Sequence, residues 1–270
     1  MKKVLIAVIV LAAAFVTVAM VTALNTSSKL FKSETPSKNI VSRELALGDF
    51  DEIDASRVDI EYTIGTPGKA ILSAPDNVID AINVDIRNGE LKVSVDDRTN
   101  YNGKLNATLK VSSSSIKDIE AALSAHVDVK SPVITVEKLD LNASTSAEIT
   151  IDSVVCEEAD FVTKTSSEIT VASLTCSDKA FLKASTSANL SVGKLCANKT
   201  EAESSTSASI RVNSGKTTKI DLDASTSSDI EIFADYDFGK ADASTSGNIN
   251  LSYDKLTERA TSTRGRIRFK

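Results

Sequence analysis

The chain has 270 residues, a formal net charge of −6, no tryptophan, and only 4% aromatic residues. That balance excludes a nucleic-acid backbone as the principal partner, which needs concentrated positive charge. With so few rings, stacking platforms for bases or sugars are not advertised.

Met1-Lys2-Lys3 is a short positive start, and Val4–Leu24 is an uncharged stretch of 21 residues. That is long for the apolar part of a cleaved signal and just long enough to span a bilayer. Val21-Thr22-Ala23 offers a small-residue cleavage site. Residues 1–24 are therefore read as a signal peptide or a membrane anchor, and both readings stay open. No cysteine lies near residues 18–30, so a lipoprotein-type acylation site is missing. Either reading exports the remainder, which at about 245 residues is enough for one well-buried β domain. Residues 25–43 read as a flexible tether or an irregular first strand, and the folded part, 44–270, is expected to begin near Glu44.

Residues 44–120 form a β-rich opening module. Phe50–Ala55 leads into the alternating strand Val58–Tyr62, and Gly65-Thr66-Pro67-Gly68 makes a turn before a strand over Lys69–Ser73. Asp76–Ile82 reads as a brief helical turn or bend. Ile82–Ile86 and Leu91–Val95 flank Asn88-Gly89, the dipeptide of tight hairpins. Leu105–Val111 adds a strand, and the whole module could cap the remainder of the chain.

Residues 121–270 are built from a repeat. NASTSAEITI at 142–151 recurs as TKTSSEITV (163–171), KASTSANLSV (183–192), ESSTSASIRV (203–212), DASTSSDIEI (223–232) and DASTSGNINL (242–251). A faint copy, ALSAHVDV, stands at 122–129, and ATSTRGRIRF closes the series at 260–269. Within each copy the period is two. Leu141, Ala143, Thr145, Ala147, Ile149 and Ile151 fall on one face, and Asn142, Ser144, Ser146, Glu148 and Thr150 on the other. By that parity Thr145, Thr165, Thr186, Thr206, Thr226, Thr245 and Thr263 point inward, at spacings of 20, 21, 20, 20, 19 and 18. One such strand cannot bury its apolar face alone, whereas stacked copies make a continuous core. Ser and Thr disfavour helix interiors, and Thr, Ile and Val favour strands. The fold class is all-β: a single-stranded β-helix or solenoid with rungs of about 20 residues. A β-sandwich or irregular β-prism is the rival.

The run LGDFDEIDASRVDIEYTIGTPGKAILSAPDNVIDAINVDIRNGELKVSV at 47–95 resembles a bacterial auto-transporter adhesin family with a head GIN domain. The resemblance rests on Gly48-Asp49-Phe50 with Ile53, Val58-Asp59-Ile60, Asp76-Asn77 with Ile79, and Asn88-Gly89 with Leu91-Lys92-Val93. It extends over roughly 45–270. The resemblance implies an exported or envelope protein of the Bacteroidota type with right-handed β-helical repeats. The family places Ser-Gly-rich turns between ladders, and this chain uses Ser-Thr-Ser instead, keeping Gly247 and Gly265. No separate carboxy-terminal translocator barrel is visible.

The even face aligns hydroxyls in two rows. One is Ser144, Lys164, Ser185, Ser205, Ser225, Ser244 and Ser262; the other is Ser146, Ser166, Ser187, Ser207, Ser227 and Ser246, ended by Arg264. Rungs about 4.8 Å apart would make these a flat array. It would serve solubility and ladder hydrogen bonds, or dock a glycan, a protein or a mineral-like lattice. Glu148, Glu168, Asp229, Asp221 and Asp223 also follow the period and read as a solvated charged face. No calcium loop is formed. Cys156, Cys176 and Cys196, spaced 20 and 20, should fall near one another in successive rungs as buried thiols, with geometry that could allow one disulfide. No Cys-x-x-Cys pair suggests zinc. His126, the single histidine, reads as exposed and structural, and no nucleophile elbow, Walker loop or dinucleotide fingerprint occurs. Arg259, Arg264, Arg266, Arg268 and Lys270 end the chain, with Phe269 closing the core.

No catalytic, cofactor-binding or metal residues are therefore assigned. The expected function is a non-enzymatic cell-envelope adhesin or structural scaffold presenting Ser/Thr ladders. Its ligand would be a glycan or protein at the envelope, and residues 4–24 could anchor it in the membrane. The alternatives are a periplasmic protein-binding accessory or assembly factor, and a polysaccharide-active β-helix enzyme, which would need convergent carboxylates in a groove. Expected locations are the periplasm, outer membrane or surface of a Gram-negative bacterium.

Overall fold

The computed structural model describes residues 32–96 and 99–270. The segment 4–24, expected to be a signal or anchor, lies outside the described residues. Among the described residues no helix is long and apolar enough to cross a membrane.

The protein is a β-solenoid of about eight turns with rungs of about 20 residues. Each turn carries three ladder segments. In the strand Glu148–Lys164, residues 148–151, 153–156 and 158–164 pair parallel with the next rung, Glu168–Ser185. Apolar residues repeat at matching register, so each inward side chain sits on its counterpart below. One column runs Leu91, Ile53, Ile119, Leu141, Phe161, Leu182, Ala202, Leu222, Ala241. A second runs Leu109, Ile60, Val127, Ile149, Ile169, Leu190, Ile210, Ile230, Ile249, Ile267. All but Ile267 are buried, each large one stabilising by roughly 1.5–3 kcal/mol.

Among its described residues the opening module is all-β apart from a single 3-10 turn, Ile79–Ala81. Its strands Glu52–Ser56 and Asp59–Ile64 are already a solenoid rung. They lie between Glu90–Val95 and Thr108–Ser113 on one side and Asp118–Ala122 and His126–Val129 on the other. The expected hairpin is present: Ile82–Arg87 pairs antiparallel with Glu90–Val95, and Asn88 and Gly89 both have positive φ. Ordered chain begins earlier than Glu44. Ile40–Ala46 pairs antiparallel along the whole of Lys69–Pro75, and Lys32–Glu34 pairs parallel with Thr99–Tyr101. The ladder to Lys69–Pro75 satisfies those backbone groups of residues 40–43 that face it, which a tether would leave to water.

One sequence expectation fails in an informative way. The threonine column does not point inward. Thr145, Thr165, Thr186, Thr206, Thr226, Thr245 and Thr263 are all exposed. Each has φ between 45° and 57°, and the residue after it has φ between 61° and 69°. Two successive left-handed residues make a tight corner, as in a type I′ turn. The corner swings the threonine out yet leaves parity intact, so Ala143 and Ala147 on either side of it both point inward.

Candidate functional site

The corner recurs in eight successive rungs, from Leu123-Ser124 to Thr263-Arg264. At most corners followed by alanine or glycine the turn is closed by a backbone bond, as in Ala147 N–H to Ser144 O (3.2 Å) and Gly247 N–H to Ser244 O (2.7 Å). Where serine follows, its hydroxyl closes the turn. Lys164 N–H donates to Ser167 Oγ (3.0 Å), and Ser225 N–H donates to Ser228 Oγ (3.1 Å). Between rungs the corners are joined by a backbone ladder. The N–H groups of Ser124, Ser146, Ser166, Ser187, Ser207, Ser227 and Ser246 each donate to the threonine carbonyl of the next rung at 3.0 Å. A non-glycine residue in the left-handed region costs about 1–2 kcal/mol, and β-branched residues are the least suited to it. The stacked ladder over-determines this conformation and holds it in place.

The corner hydroxyls themselves are unspent. None of the seven threonine hydroxyls, and none of Ser146, Ser166, Ser187, Ser207, Ser227 and Ser246, is hydrogen-bonded to another described group, whereas the inward Ser167 and Ser228 bond to Ala143 O (2.8 Å) and Ser204 O (2.6 Å). The rows are therefore not one flat array. Ser144, Ser185, Ser205, Ser225 and Ser244 stand half-buried at or just past the strand end, with Lys164 and Ser262 exposed in the same row, and the Thr and Ser columns form a ridge beside them. Seven rungs at about 4.8 Å give a ridge about 29 Å long. Leu123, exposed at 50%, continues it in the faint copy.

The strand segment before the corner presents charge. Glu52, Asp118, Asp140 and Asp160 stack in successive rungs, and Glu201 and Asp221 stack further along. The Oδ1 atoms of Asp118 and Asp160 are buried without a protein partner. Burial first, then the charges of Glu120, Asp140 and Glu52, push the Asp118 carboxyl up to about 6. Burial and Asp140 push Asp160 upward as well. Lys179, Lys199 and Lys219 stack in the neighbouring column. Burial raises the Glu201 carboxyl, but its ion pairs with Lys179 and Lys199 outweigh that and hold it below its ordinary value. Cross-rung pairs such as Lys183–Glu203 (2.6 Å) and Lys240–Glu258 (2.7 Å) continue the pattern. An open, charged cleft of about 600 Å³ lies near the last rung, lined by Asp221, Asp223, Lys240, Asp242, Glu258 and Arg259 among others.

The other residues singled out in the sequence do not converge. Glu148, Glu168 and Asp229 share one column on the segment after the corner, separated from Asp221 and Asp223 by the turn. His126 lies beside Glu148, Nδ1 to Oε2 3.4 Å. Among the described residues no group of three or more His, Cys, Asp or Glu side chains could hold a metal. Cys156 and Cys176 are in register, but Cys196 has left the column. The segment Glu168–Cys176 pairs with its neighbour at an offset of 21, so Ala197 meets Cys176 and Cys196 meets Thr175. At the last strand, Arg266–Phe269, the arginines are exposed while Ile267 and Phe269 are half-buried, as the alternation predicts. Arg259 lies over the Phe269 ring at 5.3 Å.

A family profile described as "Putative auto-transporter adhesin, head GIN domain" matches residues 49–235. The chain belongs to that family. Solved structures of similar fold include a "putative adhesin" from Parabacteroides distasonis, 16% identical with a TM-score of 0.78. Another, from Parabacteroides merdae, is 18% identical with a TM-score of 0.75. A "putative lipid binding protein" from Parabacteroides distasonis is 18% identical with a TM-score of 0.78. Each covers 88% of this chain and 100% of its own. At these identities the likeness is one of fold. No curated protein matches the chain.

Proposed function

We propose that this protein is a non-catalytic module of the cell envelope that makes adhesive, multivalent contact through the Thr/Ser ridge. The observation that carries the reading is the run of unspent hydroxyls on seven strained corners. Glycine or asparagine would adopt the left-handed conformation more cheaply, and the threonine hydroxyl contributes nothing inside the protein. Such a row suits a polymer that itself repeats hydrogen-bonding groups, and an envelope or host glycan is the partner class it fits best. Each contact would be weak, and a rigid array of them would act together. The family description supports an exported or surface protein, as does the charged start followed by uncharged residues 4–24.

The test is protease accessibility on intact native cells, joined to a glycan-binding screen of the purified full chain. The triple variant Thr186→Ala, Thr206→Ala, Thr226→Ala is screened beside it. Digestion in intact cells and a bound glycan lost by the variant are expected. Protection until the outer membrane is opened would overturn surface adhesion and direct the search to a periplasmic protein. Glycan binding that survives the triple variant would remove the ridge from the contact.

A further inference from the structure

Cys156 and Cys176 face each other across adjacent rungs with their sulfurs 3.3 Å apart. In-register neighbours on parallel strands lie about 4.8 Å apart, inside the Cα separation of roughly 4.4–6.8 Å that a disulfide spans. Bond formation needs the sulfurs to close by little more than 1 Å, to about 2.05 Å. Both side chains are buried, at 6% and 3% exposure, yet they sit directly beneath an irregular edge. The ladder slips register immediately after each of them, and Glu157, Ser177 and Asp178 beside them are exposed. A local opening of this bend uncovers the pair without disturbing the inward columns.

We propose that Cys156 and Cys176 form a cross-rung disulfide by exchange with a disulfide-bearing oxidant, and that the bond laces one complete turn of the solenoid to the next. The Cys156 thiolate attacks one sulfur of the oxidant, R–S–S–R, and expels R–S⁻, which takes up the proton. The Cys176 thiolate then attacks the Cys156 sulfur of this mixed disulfide and expels the second R–S⁻, which takes the Cys176 proton. Two thiols are oxidised and one disulfide is reduced to two thiols. The hydrogen bond between the two sulfurs holds the Cys156 thiol below its ordinary value, while that bond and burial push Cys176 up, so Cys156 is written as the first to attack. Cys196 takes no part, because the 21-residue offset sets it beside Thr175 rather than Cys176. The bond would close a loop of one rung and restrict the unfolded chain accordingly.

The full chain is oxidised with glutathione disulfide in two ways, as folded protein and during refolding from denaturant, and its intact mass and peptides are then measured. The expected result by either route is the loss of two hydrogens and a linked peptide pair joining Cys156 to Cys176. Cys196→Ala should keep that link and Cys156→Ser should abolish it. The linked form should melt a few degrees above the reduced one. Three alkylatable thiols after both treatments, or a link that includes Cys196, would overturn the proposal. The outcome is independent of any adhesive role, which the cell and glycan tests address separately.

Discussion

Replacing Asp118 by asparagine should stabilise the protein at neutral pH. The carboxylate stacks between Glu52 and Asp140, with Asp160 one rung beyond, and its Oδ1 has no protein partner. Its folded-state value of about 6 stands some two units above the ordinary 3.8, and at 1.36 kcal/mol per unit that is about 3 kcal/mol. The group is only half-buried, so solvent screening leaves about 1–2 kcal/mol as the figure to expect. The amide carries no charge and can donate to the Asp140 carboxylate. In the wild type the folded state takes up this proton before the unfolded state does. Stability from this site therefore rises as pH falls from about 6 toward about 4, and levels off below that. Thermal melts followed by circular dichroism at neutral pH and near pH 5 measure both effects. Asp118→Asn should raise the neutral-pH midpoint by about 2–6 °C and remove much of the wild type's gain on acidification. Asp178→Asn, exposed at the register slip of Glu168–Ser185, controls for net charge. A neutral-pH midpoint that is unchanged or lower, with the pH dependence intact, would refute the argument.

Thr206→Asn should stabilise by up to about 1 kcal/mol, since asparagine tolerates the left-handed corner better; chemical denaturation checks it, and a loss would mean that the threonine methyl packs more than its exposure implies. Gly247→Ala should destabilise by about 2 kcal/mol or more on the overpacking scale, because the added carbon would lie 2.1 Å from the Ala224 carbonyl oxygen. The same measurement on Gly48→Ala, where nothing stands within 4 Å, should show little. Phe161→Ala, at a fully buried site in the first core column, should cost about 3–5 kcal/mol. Lys183→Ala should cost less than about 1 kcal/mol, since its pair with Glu203 is solvent-accessible, and that small cost should shrink further in high salt.

The solenoid was legible because its apolar positions repeat at period two within a copy and near twenty between copies. The direction of the threonines was not. Parity counting assumes an unbroken strand, and a β-branched residue gives no hint of a left-handed backbone. The nearest signal was the Ser-Gly-rich turn that the resemblance implies between ladders, since Gly247 and Gly265 stand one residue past the corner and are not left-handed. The cysteine column failed at Cys196 for a different reason. A single extra residue between Thr165 and Thr186 shifts the local register by one, and equal spacing between cysteines conceals it. The aspartate stack went unread because Asp118, Asp140 and Asp160 precede the conspicuous motif, at uneven intervals of 22 and 20 residues. Each looks ordinary until its neighbours are set beside it.

The parallel ladder from rung to rung also determines how the protein meets a pulling force. Load applied between its two ends falls on one rung's set of hydrogen bonds at a time, because each rung is bonded only to the rungs beside it. A rung that peels away releases about 20 residues, or about 70 Å of extended chain, before the next comes under tension. Failure is thus divided into a series of similar steps, each lengthening the molecule by more than ten times its folded rise of about 4.8 Å. A fold of this kind yields to a pull along its stack by releasing slack, and its remaining rungs stay intact.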